Sequence, residues 1–337
     1  MLLKIKNLGS INQAEIDLSK ALILLCGEQD SWQTYLSYSI YHLFSFDTSF
    51  FLELTKHSKM EDTSDLAKEL MVNHRLEINL LDKLETYFLP YKTSILDTTA
   101  KFLREKLRES FANTNSSLLT TQLELNVEDD FIKKQIKISN YETHFGNMQK
   151  GYFLTANKAA QDHILTFEIT PNHEFTLDRI ASAIAMNTFI CMLHSILGTQ
   201  VQLFTPDQHF LTDSAQQVQD LAKQTSEFAY LAKKLLHITP HFPSLSFYLQ
   251  HLAQPKDCLI IQSPEKNLNT EEEIAMGNLI GELVNQNFKL IVSTNSVPLV
   301  EEMRRMIAYE DNNILSMENS ISLFFSRRVE WAKFSNN

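Results

Sequence analysis

The chain has 337 residues, 44% of them hydrophobic and 21% charged, and its 41 acids against 30 bases give a formal net charge of −11. These are the proportions of a globular chain long enough to bury a substantial core, which excludes wholesale disorder, a collagen-like repeat and a small disulfide scaffold. The acidic balance also argues against a surface that holds nucleic acid by neutralising phosphates, and at ~150 residues per domain the length fits two domains or one large α/β domain with an insertion.

Taken in order, residues 2–8 alternate as a strand, Gly9-Ser10 turns, and residues 11–18 alternate again. Residues 21–26 form a continuous apolar run, the pattern of a strand buried on both faces. It stops at Gly27-Glu28-Gln29-Asp30-Ser31, and a helical pattern follows from Trp32 through Leu43. Residues 45–112 read as helical. Leu66, Leu70, Leu76, Leu80, Leu81 and Leu84 mark one helix over 65–89, closed by Pro90, and residues 93–111 mark a second. A loop at 113–117 leads into a strand-like middle, 120–170, with period-two stretches at 122–127, around 136–138, and at 164–169.

A helix over 177–197, a short strand at 201–204 and a helical stretch from about 215 to 236 come next. The last third alternates cleanly: helix 245–253, strand 258–261, helix 271–285, strand 289–293, helix 298–307. That alternation predicts a parallel sheet by the crossover rule. Residues 313–331 read as two short strands and a tail.

Cys26, Cys191 and Cys258 all lie in apolar stretches and read as buried free thiols of a reducing compartment. No uninterrupted apolar run reaches the ~18 residues of a membrane span, and the opening residues lack a signal-peptide pattern. A cytoplasmic protein is expected. His237 and His241 are four apart, but Pro240 and Pro243 break any helix that would put them on one face, so no metal site is expected. Glu271-Glu272-Glu273 follows Thr270 as acids favoured in the first turn of a helix.

Three segments carry a resemblance. The strand and helix around Gly27-Glu28-Gln29-Asp30-Ser31-Trp32-Gln33-Thr34 stand where a Walker A loop would stand. Leu259-Ile260-Ile261-Gln262-Ser263-Pro264-Glu265-Lys266-Asn267-Leu268 resembles the LIIDEPExNL run of ABC-type ATPases, and Leu290-Ile291-Val292-Ser293-Thr294-Asn295-Ser296 resembles their switch strand. The order is that of the SMC, RecF and OLD-like group of AAA ATPases. The opening strands, the helix over 245–253 and the Thr205-Pro206-Asp207-Gln208 segment resemble parts of the same group. The resemblance implies an α/β, ABC-ATPase-head-like fold with a mixed or parallel core sheet, an antiparallel β part and a helical insertion. As one domain over 1–337 it would divide into N-terminal strands and degenerate P-loop (1–44), helical insertion (45–117), β-rich segment (118–170) and a helical lobe with the Walker B half (171–337).

The groups that would react are replaced. A working P-loop, GxxxxGK followed by Ser or Thr, cradles phosphates with backbone amides, neutralises them with lysine and ligates magnesium with its hydroxyl. Here Gly27 and Thr34 match, but Trp32 stands for the second glycine and Gln33 for the lysine. Gln262 and Ser263 stand where Walker B has aspartate and glutamate, and Asn295 where the switch has histidine. Seven glycines in the whole chain leave little to build a phosphate loop, when a typical chain has about 7% glycine. The signature segment is replaced by residues 237–244, with two prolines and no glycine pair. Trp32 reads first as a packed aromatic and only then as a blocked loop or interface anchor, and Glu265 as a loop hydrogen-bond acceptor.

The expectation is therefore a subunit that neither hydrolyses nor holds ATP, with no cofactor and no metal. It would act as scaffold or regulator in a bacterial hetero-oligomer, by analogy with anti-phage defence operons, beside an active ATPase, nuclease or toxin subunit, or as a homodimer. The rivals are a switch that binds ATP without hydrolysing it, using Thr34 and the helix N-terminus, a DNA-binding SMC-like head, and an enzyme of new chemistry. Direct nucleic-acid or membrane binding is not expected.

Overall fold

The computed structural model describes residues 1–8, 11–27, 33–45, 50, 63–111, 120–147, 152–170, 175–197, 201–206, 226–254, 257–308 and 320–325. The chain divides into two compact units, one of Leu43–Glu105 and Leu123–Thr199 with Met1, the other of Leu2–His42, Lys106–Gln122 and Gln200–Asn337.

The second unit starts with two alternating strands, β1 (Leu2–Leu8) and β2 (Ile11–Asp17), paired antiparallel from Leu2↔Asp17 to Leu8↔Ile11. Leu3, Ile5, Ala14 and Ile16 point to the buried side, as period two requires, and Asn7, with φ 56°, breaks the alternation so that Leu8 is buried as well. β3 (Leu22–Gly27) runs into the core, and α1 (Gln33–Phe44) follows it. The last third supplies β9 (Val201–Phe204), α7 (Ala229–Ile238), α8 (Pro243–His251), β10 (Cys258–Gln262), α9 (Thr270–Asn285), β11 (Lys289–Thr294), α10 (Val297–Ala308) and β12 (Ser320–Phe325).

Five of these strands form one sheet in the order β12-β3-β11-β10-β9, and every pairing is parallel. Leu22, Leu24, Leu259, Ile261, Leu290 and Val292 pack with α7 to α10 in one hydrophobic cluster. Their alternates Ile23, Leu25, Ile260 and Ile291 are fully buried too. Both faces are covered, which is why these strands read as unbroken apolar runs.

Two helix junctions show how local chemistry sets the elements. Asn269 caps α9 by accepting from the Glu271 and Glu272 amides at 3.0 and 3.1 Å, while the Glu272 carboxylate accepts from the Asn269 amide at 2.8 Å. This is a reciprocal capping box, with the cap one residue before the predicted Thr270. Gly277 lets α9 approach α10: a Cβ there would lie 3.1 Å from Glu302 Cγ. Glu302 is itself held by Arg305 through two bonds of 3.0 and 2.6 Å.

At the amino edge of the sheet, the Tyr248 hydroxyl donates to Asp257 Oδ2 at 2.5 Å and the Gln254 amide donates to the same oxygen at 2.7 Å. Burial pushes the Asp257 carboxyl above its ordinary value of 3.8, against the pull of these two bonds. A carboxyl whose native pKa lies above its unfolded one binds its proton more tightly in the native state. Its contribution to stability is then greatest below 3.8 and is lost as pH rises through the native value. Asp257→Asn keeps the accepting oxygen and removes the charge. Denaturant melts from about pH 4 to pH 8 should lose part of their downward slope in this variant; an unchanged slope would show that Asp257 does not titrate in that window.

The first unit is built on an antiparallel sheet. β4 (Arg75–Asn79), β6 (Tyr141–Asn147), β7 (Tyr152–Lys158) and β8 (Ile164–Ile169) lie in the order β4-β8-β7-β6. The unit also holds α2 (Ser64–Asn73), the short α3 (Leu80–Lys83), most of α4 (Lys92–Phe111), β5 (Gln122–Asn126), α5 (Asp129–Ile138) and α6 (Leu177–Leu197).

Two expectations are corrected here. The single helix over 65–89 ends at Asn73, where His74 turns left-handed with φ 59°. Residues 75–79 then alternate exposed and buried and pair with β8 from Arg75↔Glu168 to Asn79↔Ile164. The segment 45–117 is therefore not a purely helical insertion. Residues 136–138 are the end of helix α5, not a strand: Ile132 and Ile136, one turn apart, are its buried face, and Asp129 and Asp130 occupy its first turn. The β-rich segment 118–170 thus contains a helix.

α6 contains a stretch, Leu177–Ile196, long and apolar enough to cross a membrane by length and composition, with mean hydropathy 1.3; 61% of it is buried inside the structure. It lies against α2, α5 and β6 as a core helix of its unit. Beside it, Lys158 is fully buried and donates to the carbonyls of Ser139 and Ala159. The Tyr141 hydroxyl donates to Asn187 Oδ1 at 2.9 Å, and burial pushes the Cys191 thiol up to about 12. All three cysteines are free and buried. The helical stretch predicted over 215–236 is seen as α7 from Ala229; residues 207–225, the 113–117 loop and most of 313–331 lie outside the described residues.

Candidate functional site

Because β3, β11 and β10 are adjacent and parallel, their carboxyl ends share one edge, the side of an open α/β sheet where ligands usually bind. Register places Cys26 beside Thr294, and Ser293 beside Gln262. The sequence candidates fall on this edge. Gly27 ends β3, Gln33 and Thr34 open α1, Gln262 ends β10, and Ser263 and Asn295 follow β10 and β11. Trp32, with the loop over 28–32, lies outside the described residues.

Gln33 is 8% exposed, and its Nε2 donates to the Thr294 carbonyl at 3.1 Å. The residue at the lysine position is thus spent on the end of β11. Thr34, next to it, is exposed. Gln262 is also 8% exposed, and its buried Nε2 has no hydrogen-bond partner among the described residues. Ser263 leaves β10 with φ 47°, a left-handed conformation in which its amide donates to the Ser293 carbonyl at 2.8 Å. That turn swings residues 264–268 back over the edge.

The turn delivers Glu265. Its Oε2 accepts from the Thr294 hydroxyl and its Oε1 from the Asn295 amide, each at 2.8 Å. Asn295 therefore meets the carboxylate through its backbone, and its side chain is exposed. Thr294 Oγ1 also accepts from the Ser296 amide at 3.1 Å, and Ser296 Oγ accepts from the Leu299 amide at 3.0 Å, capping α10.

Thr294 is the residue that sequence reasoning missed. Its carbonyl takes Gln33, and its hydroxyl joins Glu265 to the start of α10. A partial signal was present: Ser296 followed by Val297-Pro298 has the form of a helix start, with a capping hydroxyl and proline in the first turn. Glu265 does accept loop hydrogen bonds, as its pattern suggested, but its partners come from 29 and 30 residues away.

Chemically, the described residues of this edge offer one carboxylate already engaged by two donors, two neutral amides, and hydroxyls. Among the described residues no group of three or more His, Cys, Asp and Glu side chains is placed to hold a metal ion.

No protein-family model matches the chain, and no curated protein matches it in sequence. Among solved structures the chain is similar to one described as the SmcHead bound to the C-winged helix domain of ScpA. The identity is 11%, the match covers 96% of this chain and 93% of that one, and the TM-score is 0.30.

Proposed function

We propose that the chain is an ATPase-head-like subunit without hydrolytic activity, which works by holding a protein partner in a hetero-oligomeric bacterial complex. The observation that supports this reading is the pair of buried amides at the carboxyl edge. In the sequence resemblance Gln33 and Gln262 stand where a hydrolysing head has lysine and aspartate, and the Gln33 amide already serves the Thr294 carbonyl. A polyphosphate with its magnesium is held by fixed charge and metal ligation, which neutral amides do not supply. What such a head keeps is a rigid surface. The partner fitting the sequence resemblance is an active ATPase, a nuclease or a toxin subunit of a defence system.

The test is gentle purification from the native host followed by native mass spectrometry, with thermal melts of the isolated chain in magnesium and ATP. A heteromeric mass and an unmoved melting curve are expected. A ligand at 100 times its Kd would add about 2.7 kcal/mol of stability; a shift of that size would overturn the proposal in favour of an ATP-binding switch. Retardation of DNA at low salt would favour a DNA-binding head instead.

A further inference from the structure

The carboxyl edge is tied together by a continuous relay of side-chain and backbone bonds. Ser296 caps α10, Thr294 Oγ1 joins the Ser296 amide to Glu265, and Glu265 holds the Asn295 amide. The Ser263 amide fastens the 263–268 turn to Ser293. α1 enters this relay through the bond from Gln33 Nε2 to the Thr294 carbonyl, which joins residues 261 positions apart. It is buried, so water competes poorly for either group.

We infer that Gln33 is a latch: its side chain fastens the start of α1 to the end of β11 and thereby steadies the start of α10. Glutamine suits the task. It has a donor at the end of a side chain long enough to reach Thr294, and no charge to desolvate there. A leucine at the same place would have no donor, and a glutamate would have one only when protonated. The start of α10 and the turn carrying Glu265 then hold one arrangement at all times. That a partner docks on this edge without a nucleotide signal rests on the function proposed above; the latch itself does not.

The experiment is residue-resolved hydrogen exchange on the full chain without nucleotide, for the wild type, Gln33→Leu and Gln33→Glu at pH 5 and pH 8, expressed as protection factors. The reporters are the Leu299 and Val300 amides, which bond to Ser296 in the first turn of α10. Gln33→Leu should lower their protection at least tenfold at both pH values, with the β10 and β11 amides unchanged. Gln33→Glu should lose protection at pH 8 and regain most of it at pH 5, where the neutral carboxyl donates to the Thr294 carbonyl. Wild-type protection at Leu299 and Val300 in Gln33→Leu would overturn the latch. So would the same protection in Gln33→Glu at both pH values, or an equal loss across β10 and β11, which would make Gln33 a residue of the general core.

A further arm adds magnesium and ATP to the wild type, where no change is expected. If the variants behave as expected but ATP raises protection, the latch stands and the nucleotide-free function fails. If the variants fail and ATP has no effect, the latch fails and the function is untouched.

Discussion

Placing an aspartate at the end of β10, in place of Gln262, should destabilise the protein. Gln262 is 8% exposed, and its amide nitrogen is buried without a partner among the described residues. An unpartnered buried amide has lost its water and gained nothing, at a cost of about 1–3 kcal/mol. Gln262→Asp places a carboxylate in the same surroundings, beside a turn whose own Glu265 is negative. A buried charge without a counter-charge costs about 3–5 kcal/mol when its group stays ionised. We expect Gln262→Asp to lower stability by about 3 kcal/mol at pH 7, and by much less near pH 4, where the carboxyl is protonated. Added magnesium should not restore it, because the neighbouring hydroxyls and the engaged Glu265 leave no second free carboxylate at this edge among the described residues. Gln262→Met removes the orphaned amide at nearly constant volume and should be neutral or stabilising. Urea melts of the two variants at both pH values decide the matter. Stability of the aspartate variant at pH 7 equal to the wild type would mean that positive charge near this edge offsets the new carboxylate.

The parallel sheet was legible because burial on both faces leaves the middles of its strands apolar: 21–26, 258–261 and 290–292 are unbroken apolar runs. The alternating helices between them then dictated the crossovers. The first unit was harder to read, because its sheet is antiparallel and its signals are short. Leu76, Leu80 and Leu84 are spaced four apart, as Leu66 and Leu70 are, and the six-residue step between the two groups is easily passed over, yet Leu76 and Ile78 are the buried face of a strand. What separates helix from strand there is the left-handed turn at His74, which no glycine or proline announces. Ile136-Lys137-Ile138 alternates locally, but the helix is set by Ile132 and Ile136 with acids at its start. Motif spacing singled out Gln33 and Gln262, and the structure places both at the carboxyl edge of the parallel sheet, one opening α1 and one ending β10. The spacing could not find the Gln33–Thr294 bond, because the two residues meet only once β3 and β11 have paired.

The remaining large effect is expected at Glu265, whose carboxylate is engaged by two donors at the end of β11. Its two oxygens each accept one bond from the end of β11, and these bonds set the geometry from which Ser296 caps α10. Hydrogen bonds to a charged group contribute about 1.5–3 kcal/mol each when shielded, and less where water reaches them. Asn295 is exposed, so its bond sits at the low end, while Thr294 is buried and its hydroxyl needs the acceptor. Glu265→Ala should therefore cost about 2 kcal/mol and Glu265→Gln, which keeps one good acceptor, about 1 kcal/mol. The loss should be local before it is global: exchange at the Asn295 and Ser296 amides should quicken while the β10 and β11 ladder stays protected. A double-mutant cycle with Thr294→Val separates the shared hydroxyl from the backbone bond. A coupling near zero would show that Glu265 acts through Asn295 alone and that Thr294 is held by packing. A coupling of about 1 kcal/mol or more would identify the carboxylate as the group that turns the end of a buried strand into the start of α10.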